Sequence, residues 1–182
     1  MKTANPQSQS KMTDEDVLTL ARTVIHYART GDAQQLRWLI EAGLPINFTN
    51  ERGESLLMLA SYHGHAEATR ILLEAGADPE RINDRGQTPM AGAAFKGDTA
   101  VLRLLLDHGA RVDGSGPDGK TALMFAAMFD QLDALELLLS RGAEAGHQDA
   151  DGRTALQYAR AMGARRTAER LLAPRTNFPT PF

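Results

Sequence analysis

The chain has 182 residues, 42% of them apolar, a formal net charge of −3 and no cysteine. That apolar share suits a folded soluble chain, the small charge gives no global drive toward nucleic acid or acidic membranes, and the missing thiols exclude a disulfide framework and a cysteine metal site. The polar opening MKTANPQSQSK has no apolar run behind it of the kind a secretory signal needs, and no stretch reaches the ~18 to 20 apolar residues of a membrane helix, so the expectation is a soluble cytoplasmic protein with no membrane contact.

Residues 1–11 lack periodicity and read as a disordered polar tail. Thr13, with Asp16 three residues later, opens a helix. Val17, Leu20, Val24, Tyr27 and Ala28 then recur at helical spacing, which predicts a first helix over about 14–29. It is longer than its later counterparts and reads as a cap at the N-terminal end of a stack. Gly31-Asp32 ends it and starts the next helix: the glycine takes a left-handed turn and the aspartate accepts from free amides.

From there the chain repeats itself. Gly43, Gly76, Gly109 and Gly142 stand 33 residues apart, as do Gly53, Gly86, Gly119 and Gly152, and Leu39, Leu72, Leu105, Leu138 and Leu171. Several series sharing one period describe a stack of similar units. The turn recurs as Gly64-His65 and Gly97-Asp98, and in altered form as Asp130-Gln131 and Gly163-Ala164. After each turn comes a leucine ladder such as Leu104, Leu105 and Leu106, covered on several sides as expected between stacked neighbours. Polar segments such as Asp78 to Gln87 separate the helix pairs, and Thr88-Pro89 opens the next pair with a proline in the first turn. Ala60, Ala93, Ala126 and Ala159, and Leu57, Met90, Leu123 and Leu156, keep one character in every unit and read as core.

Gly86-Gln-Thr-Pro-Met-Ala-Gly-Ala-Ala94, Gly97-Asp98 and Leu104-Leu-Leu-Asp-His-Gly-Ala110 resemble an ankyrin repeat, with its period of about 33 residues and Thr-Pro-Leu-His-x-Ala core. Gly119-Lys-Thr-Ala-Leu123 and Gly152-Arg-Thr-Ala-Leu156 match the same core; Gly53-Glu-Ser-Leu-Leu57 matches more loosely. The resemblance covers about residues 17 to 173. It implies an all-α solenoid of about five helix-turn-helix units with short β-hairpin or turn fingers. The array runs over 12–173, in units of about 12–49, 50–82, 83–115, 116–148 and 149–173, with a Pro/Phe tail at 174–182. Departures are visible. Met58, Ala91, Met124 and Gln157 replace the family histidine, only Pro89 keeps the proline, and Asp130 replaces a turn glycine at a cost of about 1 kcal/mol if the left-handed conformation persists.

Three other motifs compete with this reading. Gly114-Ser-Gly-Pro-Asp-Gly-Lys-Thr121 fits a phosphate-binding loop, with Lys120 on phosphate and Thr121 on magnesium, which would make the chain a nucleotide-binding enzyme. The repeat explains it better: Gly119 and Thr121 are in register with Gly86 and Thr88, and Lys120 fills a variable slot. His63-Gly-His65 lacks a nearby third ligand and reads as an ordinary histidine pair rather than a metal site. Arg160, Arg165, Arg166, Arg170 and Arg175 suit either an acidic or nucleic-acid partner or a solvated capping face; without interleaved aromatics the nucleic-acid reading is disfavoured.

Scaffold and surface separate by column. Tyr62, Phe95 and Met128, and His63, Lys96, Phe129 and Met162, vary between units; the resemblance places them on the concave groove, with Arg52, Arg85, Asp118 and Asp151 and Glu54, Gln87, Lys120 and Arg153 from the turns. Large apolar groups there suit a partner site, while packing against neighbouring repeats would account for the same stripe. The reading is a monomeric, non-catalytic protein-binding module with no cofactor, metal or small-molecule substrate.

Overall fold

A computed structural model describes residues 13–173, so the expectations for both tails, including Arg175, lie outside the described residues. Within them ten helices form five pairs: α1 (Asp14–Thr30) with α2 (Ala33–Glu41), α3 (Leu56–Tyr62) with α4 (Ala66–Glu74), α5 (Pro89–Lys96) with α6 (Thr99–Asp107), α7 (Ala122–Met128) with α8 (Leu132–Ser140), and α9 (Ala155–Met162) with α10 (Arg165–Leu172). The short turns within pairs force antiparallel partners. First helices touch in the order α1, α3, α5, α7, α9, and second helices form a parallel row from α2 to α10. The fold is an all-α repeat solenoid.

One apolar core runs through the stack. Ala60, Ala93, Ala126 and Ala159 are fully buried where the first helices close on one another, and Leu36, Leu72, Leu105 and Leu138 fill the space beneath the second row. Leu156 is only half-buried because the last pair has no described neighbour beyond it. The same edge effect operates at the other end. Trp38 shares a column with Ile71, Leu104 and Leu137, yet it is 63% exposed, since no described unit precedes α2.

The fingers between pairs form no strand among the described residues; isolated bridges join Thr49 to Ser55 and Ser115 to Thr121. Side-chain oxygens shape these loops instead. Asn50 accepts from the amides of Arg52 and Glu54, Asn83 from Arg85 and Gln87, and Asp149 from Asp151 and Arg153. The equivalent place in the fourth unit is Gly116. A Cβ there would lie 1.7 Å from the Gly86 carbonyl oxygen, so the close approach of successive fingers excludes any side chain.

The turns within pairs are latched across units. Asp32 and Asp98 accept from the amides of Gln35 and Val101 and so cap their own second helices. His65 does not cap; its ring Nε2 donates to the Arg29 carbonyl of the preceding turn at 2.8 Å, and Gln131 reaches the Phe95 carbonyl in the same way at 3.2 Å. Ala164 cannot cap α10 at all. Asp130, held left-handed at φ 53°, reaches forward and accepts from the Thr167 amide at 2.9 Å, while the Thr167 hydroxyl donates to the Ala127 carbonyl at 3.0 Å. The aspartate that breaks the glycine series supplies the cap that the last helix lacks.

Asp130→Ala removes the cap without relieving the left-handed turn and lowers unfolding free energy by about 1–2 kcal/mol. Asp130→Gly offsets the lost cap by relaxing the turn and stays within about 1 kcal/mol of wild type in urea titrations. The last finger provides a pH test. The Tyr158 hydroxyl donates to the buried Asp149 carboxylate at 2.5 Å, and this bond, with amides of Arg153 and Asp151, holds that carboxyl below its ordinary range. A depressed carboxylate stabilises the fold above its unfolded-state pKa, and the contribution fades as pH falls through the folded value. Tyr158→Phe is therefore less stable than wild type at pH 7, and the gap narrows below about pH 4 in unfolding titrations.

Candidate functional site

The first helices and the fingers enclose a cleft of about 870 Å³ toward the N-terminal half of the stack. Its floor is Met58, Leu59 and Ala91, on α3 and α5. Ala91 is smaller than the histidine of the repeat core, and Gly92 beside it leaves room for the Tyr62 ring: a Cβ at Gly92 would sit 3.3 Å from that ring. Finger residues Arg52, Glu54, Arg85 and Gln87 form one wall, and Tyr62, His63 and Phe95 line the other side.

The aromatic residues of the varying columns form a continuous row across units. Tyr62 and Phe95 stack with centroids 6.1 Å apart and planes 9° from parallel, and Phe129 meets Phe95 edge-on at 4.4 Å. The Lys96 ammonium lies 4.8 Å from the Tyr62 centroid, close enough for a cation–π contact. Tyr62 and Phe129 remain 38% and 42% exposed, whereas Phe95 and Met128 are half-buried. Packing and presentation therefore coexist: each ring braces its neighbour and shows its outer part to solvent.

His63 stacks near His65 at 6.2 Å and meets Tyr62 edge-on at 5.4 Å. Burial lowers its pKa first, the neighbouring His65, Arg29 and Lys96 lower it further, and Glu54 opposes them. The His65 ring is committed to the Arg29 carbonyl, and no group of three metal-capable side chains occurs among the described residues.

The remaining candidate positions do not join the cleft. Lys120 is paired with Asp118 at 2.8 Å, an interaction that raises the ammonium pKa. The loop at 114–121 is one of the repeat fingers, and its Gly116 serves the contact with Gly86. Asp151, Arg153 and Met162 sit on the last unit, exposed and away from the cleft, with the Arg153 guanidinium 5.8 Å from the Tyr158 ring centroid. Among the C-terminal arginines, Arg170 is taken by Glu136 at 2.5 Å.

Helix α1 supplies residues that the repeat columns do not contain. Only Val24 and Ala28 of its apolar stripe are buried; Val17 is 51% exposed, and Leu18 beside it 58%. These two, with Arg22 and Arg29, overhang the cleft as a further wall. The signal in the sequence is the length of α1: seventeen residues, against seven or eight in the first helices of later units. The extra turns have no equivalent to pack against. No helix among the described residues is long and apolar enough to cross a membrane.

A family model described as ankyrin repeats (3 copies) matches the chain over residues 7–83, 24–115, 76–149 and 113–180. A Pseudomonas aeruginosa protein named for its ankyrin repeats is 48% identical over 52 residues, a stretch covering 29% of this chain and 30% of that relative. The matches cover nearly all of the stacked units, so the chain belongs to the ankyrin repeat family, whose members generally act as protein–protein interaction modules and are generally non-catalytic.

Proposed function

We propose that this chain is a monomeric, cytoplasmic, non-catalytic binding module that holds a partner protein in the groove, as an adaptor, an inhibitor or an assembly helper. The observation that carries the reading is the aromatic row Tyr62, Phe95 and Phe129, whose rings touch in sequence while Tyr62 and Phe129 stay partly exposed. Rings already fixed by neighbours lose little freedom on binding and bury large area, which is the character of interface anchors. The basic C-terminal end supports a competing site less well, because Arg170 is consumed by Glu136.

The test is partner capture from native cells, with the captured protein then titrated. Tyr62→Ala, Phe95→Ala and Phe129→Ala together weaken the complex by about thirtyfold or more, equivalent to about 2 kcal/mol, while the helical circular dichroism signal is retained. Trp38→Ala removes an exposed aromatic outside the groove and leaves affinity unchanged. Equal affinity for a folded triple variant rejects the groove.

A further inference from the structure

The cleft carries an unbalanced charge over an apolar floor. Arg22, Arg29, Arg52 and Arg85 line it, opposed there by two carboxylates, Glu51 and Glu54. Glu54 is engaged by the Asn50 side-chain amide at 2.7 Å. Among the described residues none of the four arginines forms an ion pair, although six such pairs occur elsewhere on the stack.

Along the stack this excess fades. The finger columns read Arg52, Arg85, Asp118, Asp151 and Glu54, Gln87, Lys120, Arg153, and Lys120 is already paired with Asp118. A long polyanion lying in the groove would find no continuous basic track over its second half, which a nucleic-acid site needs. A short acidic segment over the first three units needs none. Val17, Leu18, Met58 and Ala91 line the same cleft, whose volume of about 870 Å³ has room for bulky apolar side chains.

Resting on the groove reading above, we propose that the N-terminal half of the groove recognises an acidic peptide segment bearing one large apolar anchor. Its carboxylates pair with Arg22, Arg52 and Arg85, and the anchor enters between the α1 overhang and the Tyr62–Phe95 stack. Guanidinium groups suit this task because they bind carboxylates through two parallel hydrogen bonds.

The probe is a displayed library of random peptides of about twelve residues, panned on the full chain, with the enriched sequences then synthesised and titrated. Enriched peptides carry Asp or Glu together with Leu, Phe or Trp. Their affinity falls by about tenfold or more against Arg52→Gln/Arg85→Gln and when their own acids become amides. Arg52→Glu/Arg85→Glu reverses the charge of the finger wall and turns the preference toward basic peptides. Neutral or basic peptides that depend on Tyr62, Phe95 and Phe129 would overturn the charge assignment and leave the groove standing. Acidic peptides that bind the aromatic triple variant equally well would overturn both. Failure to enrich any peptide, or equal binding of single-stranded oligothymidylate, would also overturn the proposal, the latter assigning the arginines to phosphate.

Discussion

No helix pair in this chain can bury its own apolar surface; only a second pair in the same register can. A helix of seven to nine residues is too short to persist alone in water, so packing against neighbours has to supply what local propensity does not. The fully buried alanines at Ala60, Ala93, Ala126 and Ala159 show how close the first helices must come. The 33-residue spacing maintains that approach from unit to unit. Stability in such an array is a sum over units and the interfaces between them. Cross-unit latches from His65, Gln131 and Asp130 strengthen those interfaces at the turns.

That same constraint leaves one flank free. Positions that face a neighbour must be small or apolar in every unit. Finger tips and the ends of the first helices face no such demand and can differ, as Arg52, Arg85, Asp118 and Asp151 do. Function in this fold is therefore written in columns that vary, over a scaffold written in columns that do not. The groove combines both: Phe95 is held by Tyr62 and Phe129, and the space beside it is opened by small residues at Ala91 and Gly92.

Periodicity makes the architecture readable from the residues alone. The helix expected over about 14–29 is Asp14–Thr30, and the fourth-unit turn keeps its left-handed backbone at Asp130. Features that occur once are invisible to periodicity. The overhang of α1 has no counterpart column, so Val17 reads as core from its spacing although it stands open beside Leu18. Asp130 reads as a cost because its compensation, the Thr167 amide, lies 37 residues away and joins different units. Gly116 reads as part of a phosphate loop because the carbonyl it accommodates belongs to the neighbouring finger. The last two depend on contacts between units, which a single repeat does not encode.

Hydrogen exchange on the full chain, free and saturated with its captured partner, tests the central claim most directly. If the free flank is the binding surface, partner-induced protection appears in α1 and in the fingers at 50–54 and 83–87, while α4 and α6 on the opposite row keep their rates. Protection confined to α4, α6 and α8, with those fingers unchanged, would contradict the account.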